Sequence, residues 1–317
     1  MKIDLEEHLA ESLETHKMKH IKERVDAFKE KADEVKQKLQ DQYGPDVYYI
    51  FQSGSFAKHT AINTKFDIDL VVPFPHDKFE TLESMFDDVY SFLSNEYQEE
   101  AEVRKQKVSV GLFFQADKDG NEIKLDVVPG RELSSDDYPK TNDLNLYFNE
   151  DHWGFKKGSR QKTNIQAQID HISGKEDERK IIRLLKIWKT RNNEDFKSFV
   201  LELFSIKAMA SYDGSDQLWD KLKYVMTYIA DHVTDESFQL IDPGNSNNNV
   251  LSSMSSAKRY SLADKMKLIV NNIDADSNNA AYYFPINKEF QTAAENYGSK
   301  AGVSGPSYPP SGQRFGR

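Results

Sequence analysis

Apolar residues recur with two different periods along this chain, and the change of period divides it into regions. Between residues 5 and 42 they return mostly every three or four positions, which predicts one long N-terminal helix that ends at the segment YGPD, residues 43–46. Between about residues 47 and 130 apolar and polar residues mostly alternate, which is typical of strands. The strands predicted there are 47–51, 66–74, 108–114 and 123–127, with an amphipathic helix over 79–98 and a hairpin turn at Asp119-Gly120.

The pattern changes again after residue 130. A polar loop region is predicted over 131–165, including the basic segment KKGSRQK at 156–162, and the last stretch is rich in Gly, Ser and Pro and predicts a disordered tail. We therefore expect an α+β protein with a helix and a small mixed-sheet lobe over 1–165, a helical lobe over 166–297 and a tail over 298–317. The helices predicted in the second lobe are 176–192, 197–212, 216–234, 256–274 and 287–297.

Two aspartates stand one residue apart in the apolar run FDIDLVVPF. Because side chains alternate along a strand, Asp67 and Asp69 are predicted to share one face, while Ile68, Leu70 and Val72 face a core. Asp126 has the same relation to its apolar neighbours on a later strand. Three carboxylates on one face would repel each other, which favours binding of a divalent cation such as Mg²⁺ or Mn²⁺. Two ions in such a site carry out phosphoryl or nucleotidyl transfer.

The Gly54-Ser55 pair lies between the first two predicted strands, just before this acidic strand. Gly54 allows close approach of a ligand to the backbone, and the Ser55 hydroxyl can donate to a phosphate oxygen. Each motif alone is commonplace, since most D-x-D pairs are surface carboxylates and most Gly-Ser pairs are simple turns. Their combination with a third aspartate on a later strand favours a metal and phosphate site.

The sequence GSFAKHTAINTKFDIDLVV resembles the palm of polymerase β-type nucleotidyltransferases, in the form seen in the cGAS/DncV-like nucleotidyltransferases (CD-NTases) and the 2′-5′ oligoadenylate synthases. The resemblance spans most of residues 1–297 and implies a palm with a long spine helix, fused to a C-terminal helical lobe. It implies that Asp67 and Asp69 hold two Mg²⁺ or Mn²⁺ ions. It also implies that Asp126 completes the site and assists deprotonation of the attacking hydroxyl.

Three residues of the second lobe also match motifs of this family. IIRLLKIWKTRN is similar to the helix that carries a phosphate-binding lysine, here Lys186, and FKSFVLELF is similar to the next helix, where Ser198 would contact the triphosphate and Phe199 would stack on a base. DPGNSNNNV at 242–250 resembles a turn of the same lobe. Each of the three residues also has a purely structural alternative: Lys186 as a solvated lysine, Ser198 as a helix N-terminal residue and Phe199 as a core aromatic.

Composition narrows the choice within the family. The chain has 317 residues, no cysteine and a net charge of −10. It therefore lacks the zinc ribbon of animal cGAS, and its acidity argues against a nucleic-acid activator, because phosphate contacts need clustered Lys and Arg. It has no run of 18 apolar residues, and its first segment lacks an apolar signal core, so we expect no membrane association and a cytoplasmic location. The better resemblance is to the bacterial anti-phage CD-NTases.

This resemblance implies an enzyme that makes a cyclic di- or trinucleotide, or a short oligonucleotide, from ATP or GTP, with pyrimidine nucleotides left open. It also implies partner proteins from a defence operon. A second hypothesis keeps the chemistry but transfers the nucleotide to a tRNA, a small molecule or a protein. A third is a nucleotide- or partner-binding protein without catalysis, against which the presence of all three carboxylates argues.

Overall fold

The computed structural model describes residues 2–115, 122–149 and 158–291, and it has the mixed α+β architecture that the sequence predicts. Its helices are α1 Leu5–Thr15, α2 Lys22–Tyr43, α3 Gly54–Ala57, α4 Leu82–Glu96, α5 Tyr138–Thr141, α6 Ile165–Asp170, α7 Glu176–Arg191, α8 Ser198–Met209, α9 Leu218–His232, α10 Ser256–Ala275 and α11 Ala280–Tyr283. Its strands are β1 Phe51–Ser53, β2 Ile68–Phe74, β3 Ala101–Lys105, β4 Val110–Phe114, β5 Ile123–Glu132, β6 Leu144–Tyr147, β7 Arg160–Thr163, β8 Ile241–Asp242 and β9 Asn245–Asn249.

The main sheet is organised around β5, its longest strand. On one edge β5 pairs in parallel with β2, and on the other it pairs antiparallel first with β4 and then with β6. The strands run in the order β1-β2-β5-β4-β3, and β6 also pairs with β7. The parallel pair at the centre places the two acidic strands directly side by side.

One face of this sheet is covered by α2 and α4. The alternating residues Ile68, Leu70 and Val72 of β2 are buried there, as the period-two pattern predicts. Helix α4 begins at a capping box in which Thr81 and Ser84 satisfy each other's backbone N–H groups, and this fixes where the helix starts. Because the aliphatic side chains occupy this face, the aspartates of β2 and β5 emerge on the other.

The second core belongs to the helical half of the chain. Helices α7, α8, α9 and α10 share it, and α8 is apolar around most of its circumference because it lies at the centre. Leu9 and Leu13 of α1 pack into the same core, whereas α2 packs on the sheet. The N-terminal region therefore contacts both halves of the molecule.

That region is two helices instead of the single helix predicted over residues 5–42. A 3₁₀ turn, Met18–Ile21, separates α1 from α2. The apolar spacing explains the break, because no aliphatic residue of the core lies between Leu13 and Ile21. The long helix of 22 residues is α2.

Other boundaries differ where strands are polar or short. The strand predicted over 47–51 is formed only at Phe51–Ser53, and the predicted loop region 131–165 contains the end of β5 and strands β6 and β7. The helix predicted over 287–297 is not formed in its described part, residues 287–291. The Asp119-Gly120 turn, Lys156, Lys157 and the tail over 298–317 lie outside the described residues. Within the described ranges, no helix is long and apolar enough to cross a membrane.

Candidate active site

The three predicted carboxylates lie at adjacent positions on the central strands. Asp69 of β2 is paired with Asp126 of β5 in the parallel register, and Asp67 immediately precedes β2. The sequence explains this arrangement, because Asp69 and Asp126 each stand between two aliphatic residues that face the core. The structure thus brings together residues 57 positions or more apart in the chain, on one face of the sheet.

Their electrostatic environment is unfavourable without a counter-ion. Burial, followed by the neighbouring charges of Asp67 and Asp126, raises the pKa of Asp69 to about 7. Burial also raises the pKa of Asp126, although Lys124, whose Nζ lies 3.5 Å from Asp126 Oδ2, opposes this. The site therefore has excess negative charge, which a bound cation would compensate.

The donor set fits a hard divalent cation, since it offers only carboxylate oxygens. In the described part of the chain, no three or more His, Cys, Asp or Glu side chains are already arranged to hold a metal ion. What supports a metal here is the pair formed by Asp69 and Asp126 and the raised pKa of Asp69.

Gly54 makes room for one of these carboxylates. Its φ is +70°, a value that favours glycine, and a Cβ at this position would lie 1.7 Å from Asp69 Oδ2. Close approach of a ligand to Gly54 stays a prediction; what the structure shows is that this glycine also makes room for the Asp69 carboxylate. The glycine and the aspartate are thus packed together, with Ser55 next to them at the start of α3.

Lys186 reaches from α7 to the sheet half of the molecule. Its ammonium Nζ donates to Thr60 O at 2.9 Å and to Thr60 Oγ1 at 3.0 Å, and the side chain is buried. Burial lowers the pKa of Lys186 to about 8, while Glu202 opposes the change. An ammonium carries three N–H donors, so one remains for an anion in the cavity that this residue lines. It is not a solvated surface lysine.

Ser198 is the first residue of α8, but its side chain does not cap that helix. Its Oγ accepts a hydrogen bond from Lys189 Nζ at 3.2 Å, and the residue faces the same cavity as Lys186. Phe199 behaves differently: it is partly buried against the helical core, and the ammonium of Lys58 lies 4.7 Å from its ring centre. The structure does not place Phe199 in the cavity lining.

A cavity of about 620 Å³ lies between the sheet and α7–α8. It joins Ser55 and Asp67 on one side to Lys186 and Ser198 on the other, so one predicted metal ligand and three predicted phosphate-binding residues line the same cavity. Its complete lining is Ser55, Ile62, Lys65, Phe66, Asp67, Lys186, Lys189, Thr190, Asn193, Glu194, Asp195 and Ser198.

Sequence reasoning missed Lys65, Phe66 and Lys189 among these lining residues. Burial, followed by the charge of Lys65, lowers the pKa of Lys189, while the charge of Asp195 opposes the change. The signal for Lys189 was present, since residues 186, 189, 190 and 193 follow the spacing of one helix face. Phe66 could have been found as the aromatic residue directly before the acidic pair.

Comparison with known proteins agrees with this geometry. Residues 6–149 match the Second Messenger Oligonucleotide or Dinucleotide Synthetase (SMODS) domain. A cyclic AMP-AMP-AMP synthase of Escherichia coli (strain MS 115-1) is 27% identical over 302 residues, which cover 83% of this chain and 87% of that protein. A CBASS oligonucleotide cyclase, CdnC, of Escherichia coli (strain KTE188) is 25% identical over 213 residues. That match covers 62% of each protein, so it spans about three fifths of the length of the relative.

Solved structures show the same fold. CdnC of E. coli MS115-1, in complex with HORMA-deltaN, has a TM-score of 0.64 at 21% identity, covering 85% of this chain and 93% of that one. The same enzyme with ATP has a TM-score of 0.63 at 22% identity, covering 86% and 93%. The chain therefore has the fold of these CdnC structures.

In sequence and fold the chain is similar to the cGAS/DncV-like nucleotidyltransferases, the CD-NTases. These matches support the resemblance given by GSFAKHTAINTKFDIDLVV, and they confirm the fold that it implies.

Proposed function

We propose that the protein is a metal-dependent nucleotidyltransferase that joins NTPs, ATP or GTP among them, into a cyclic di- or trinucleotide or a short oligonucleotide in anti-phage defence. One observation carries this proposal: the paired carboxylates of Asp69 and Asp126 lie beside Gly54, and Asp67, next to them, opens into the cavity that ends at Lys186 and Ser198. The carboxylates on one side of the cavity suit metal ions, and the ammonium and hydroxyl donors on the other side suit the triphosphate of a bound NTP. The SMODS match supports the same function.

In this proposal each side chain has a separate task. Asp67, Asp69 and Asp126 would hold two Mg²⁺ or Mn²⁺ ions, which when bound neutralise charge at the α-phosphate. Ser55, Lys186 and Ser198 donate to the triphosphate, and Lys189 adds a further ammonium beside Ser198. Asp126 accepts the proton of the ribose hydroxyl, whose oxygen bonds to the α-phosphorus of the NTP while the bond to pyrophosphate breaks and pyrophosphate leaves.

The position of the base is a separate part of the proposal. Phe66 lines the cavity next to Asp67, and its ring packs on Phe28 with centroids 4.5 Å apart, so it offers a rigid aromatic surface for stacking. Phe199, whose predicted role is to stack on a base, has the Lys58 ammonium 4.7 Å from its ring centre. Base preference measured in Phe66→Ala and Phe199→Ala would separate the two.

We also propose the organisation of the molecule and its surroundings. Residues 1–165 form the palm lobe and 166–297 the helical lobe, with α1 packed on the second of them. The enzyme acts in the cytoplasm, where NTPs are supplied, and is controlled by a partner protein; the related CdnC was solved with HORMA-deltaN. A nucleic-acid activator is not part of the proposal, since the chain carries a net charge of −10. Activity that persists after nuclease treatment would support this.

The experiment is incubation of the purified protein with all four NTPs, together and in pairs, in Mg²⁺ or Mn²⁺, followed by mass spectrometry. Cyclic or linear oligonucleotides are expected. Asp69→Asn should abolish them while the chain stays folded, because it removes a repelled charge, and Asp33→Asn on the exposed side of α2 is the matched control. Lack of any oligonucleotide in either ion would refute the proposal. Label transferred to a tRNA, a small molecule or a protein would favour the alternative acceptor.

A further inference from the structure

The turn between β3 and β4 aims one side chain at the third carboxylate. The N–H of Gln106 donates to Ser109 O at 2.8 Å, which closes the turn and folds Gln106 back over the sheet. Its side-chain Nε2 then donates to Asp126 Oδ1 at 2.8 Å. Since β4 lies between β3 and β5, this amide must cross β4 to reach Asp126.

Strand β4 has a glycine at the crossing point. Gly111 is paired with Asp126 in the antiparallel register of β4 and β5. A Cβ on Gly111 would lie 2.1 Å from Gln106 Nε2, closer than any two such atoms can approach. The glycine therefore leaves the space through which Gln106 reaches the carboxylate.

The orientation of the Gln106 amide is fixed by a second contact. The hydroxyl of Ser109, which is buried, donates to Gln106 Oε1 at 3.2 Å. With its oxygen accepting from Ser109, the amide directs its NH₂ group to Asp126. Ser109 thus donates to Gln106, and Gln106 donates to the carboxylate of Asp126.

We propose that Gln106 is a positioning residue for Asp126, holding Oδ1 so that the carboxylate presents Oδ2 to a cation and the attacking hydroxyl. This inference rests on the proposed function. Partners that hydrogen-bond a ligating carboxylate fix its orientation and tune its affinity. An amide suits this role because it is neutral. A lysine or arginine in its place would also hold the carboxylate, but its positive charge would weaken the attraction of the carboxylate for a cation. On Oδ2 the one cationic contact among the described residues is Lys124 at 3.5 Å, from a partly exposed side chain that can move away.

Gln106→Leu tests the proposal, because it keeps most of the volume and removes the donor. Mn²⁺ affinity is measured by isothermal titration calorimetry without nucleotide, and kcat and KM are measured with NTPs. We expect Mn²⁺ binding and kcat to fall by about 10- to 100-fold, with KM for NTP and Tm unchanged. The matched control is Gln115→Leu at the other end of β4, whose side-chain amide donates to the backbone carbonyl of Glu99 and to no carboxylate among the described residues.

Gly111→Ala provides a second route to the same loss, since its methyl group would displace the Gln106 amide. It should weaken Mn²⁺ binding as Gln106→Leu does. In a Gln106→Ala background the same change should have a smaller further effect, because the closest contact at 2.1 Å is gone and only that with Phe113 Cε2 at 3.0 Å remains. Equal and additive losses in both backgrounds would instead show that Gly111→Ala acts through the sheet.

Wild-type affinity for Mn²⁺ and wild-type kcat in Gln106→Leu would overturn the proposal, as would a loss confined to Tm. Failure of the wild type to bind Mn²⁺ at all would overturn it too. The proposed function is tested separately by product formation in the wild type. If no product forms but Gln106→Leu still weakens Mn²⁺ binding, the positioning role stands and the function fails.

Discussion

A buried ion pair joins the two halves of the molecule behind the cavity. Lys58 Nζ lies 2.7 Å from Glu202 Oε1, and the side chains are only 8% and 6% exposed. Lys58 follows α3 in the sheet half, and Glu202 lies on α8 in the helical half. We predict that Glu202→Gln destabilises the protein by about 3 kcal/mol, because removal of one partner leaves the other charge buried without compensation. At roughly 2–4 °C per kcal/mol, Tm should fall by about 6–12 °C.

The assay is thermal unfolding followed by circular dichroism at pH 7.5. The matched control is Asp274→Asn, which removes an exposed partner of Lys223 in a pair 2.6 Å long. That change should cost about 0–1 kcal/mol, since water screens exposed pairs. The double variant Lys58→Met/Glu202→Leu should recover most of the lost stability, because apolar side chains of similar volume can replace a buried pair.

Glu202→Gln should also affect nucleotide binding. Glu202 is the charge that most opposes the lowering of the Lys186 pKa, so its loss leaves Lys186 less protonated near pH 8 and raises KM for NTP. A Tm for Glu202→Gln equal to that of Asp274→Asn would refute the reasoning about burial. An unchanged KM at pH 8 would refute the link to Lys186.

Four further predictions concern the cavity. Gly54→Ala should lower activity at least about 100-fold by displacing the Asp69 carboxylate, whereas Gly174→Ala, at a similar φ of +74° with nothing within 4 Å, should leave activity unchanged. Lys189→Ala should raise KM for NTP about tenfold, the effect of losing one charged hydrogen bond. Lys180→Ala, on the opposite face of α7, should leave KM unchanged. Equal KM values in the two variants would exclude Lys189 from the triphosphate site. The kcat/KM profile of the wild type should fall above about pH 8, where free Lys186 loses its proton, and Lys186→Arg should move that fall upward. In the metal-free protein, the pKa of Asp69 is about 7 when folded against 3.8 when unfolded, so the stability decreases as the pH rises from about 4 to 7. Asp69→Asn should therefore raise Tm at pH 8 but not at pH 4. An equal rise at both pH values would contradict the raised pKa of Asp69.

The acidic strands were predictable because their pattern is local. Alternation in FDIDLVV gives both the core face and the carboxylate face of β2, and the same holds for β5. The edge strand β3, with the sequence AEVRK, was missed because it is mostly exposed and lacks an apolar face to reveal it. Strand β7, RQKT, was missed for the same reason.

Contacts between distant residues could not be predicted in this way. The bond from Lys186 to Thr60 joins positions 126 residues apart, and no local pattern encodes it. The reason for Gly54 was also inaccessible, since only the folded chain shows that its missing side chain accommodates Asp69. Helix periodicity, by contrast, contained the information that Lys189 lies on the same face as Lys186.

The packing of α1 has a consequence for synthesis. His8 Nε2 hydrogen-bonds Phe284 O at 2.9 Å, and Ser12 Oγ donates to Pro285 O at 3.0 Å, so the first helix is completed by residues some 270 positions later. At about 5–20 residues per second, a ribosome needs tens of seconds to supply them. During that time the sheet half and α2 can already fold, while Leu9 and Leu13 of α1 stay exposed to water or to chaperones. Helix α1 is thus made well before the residues that complete its native contacts.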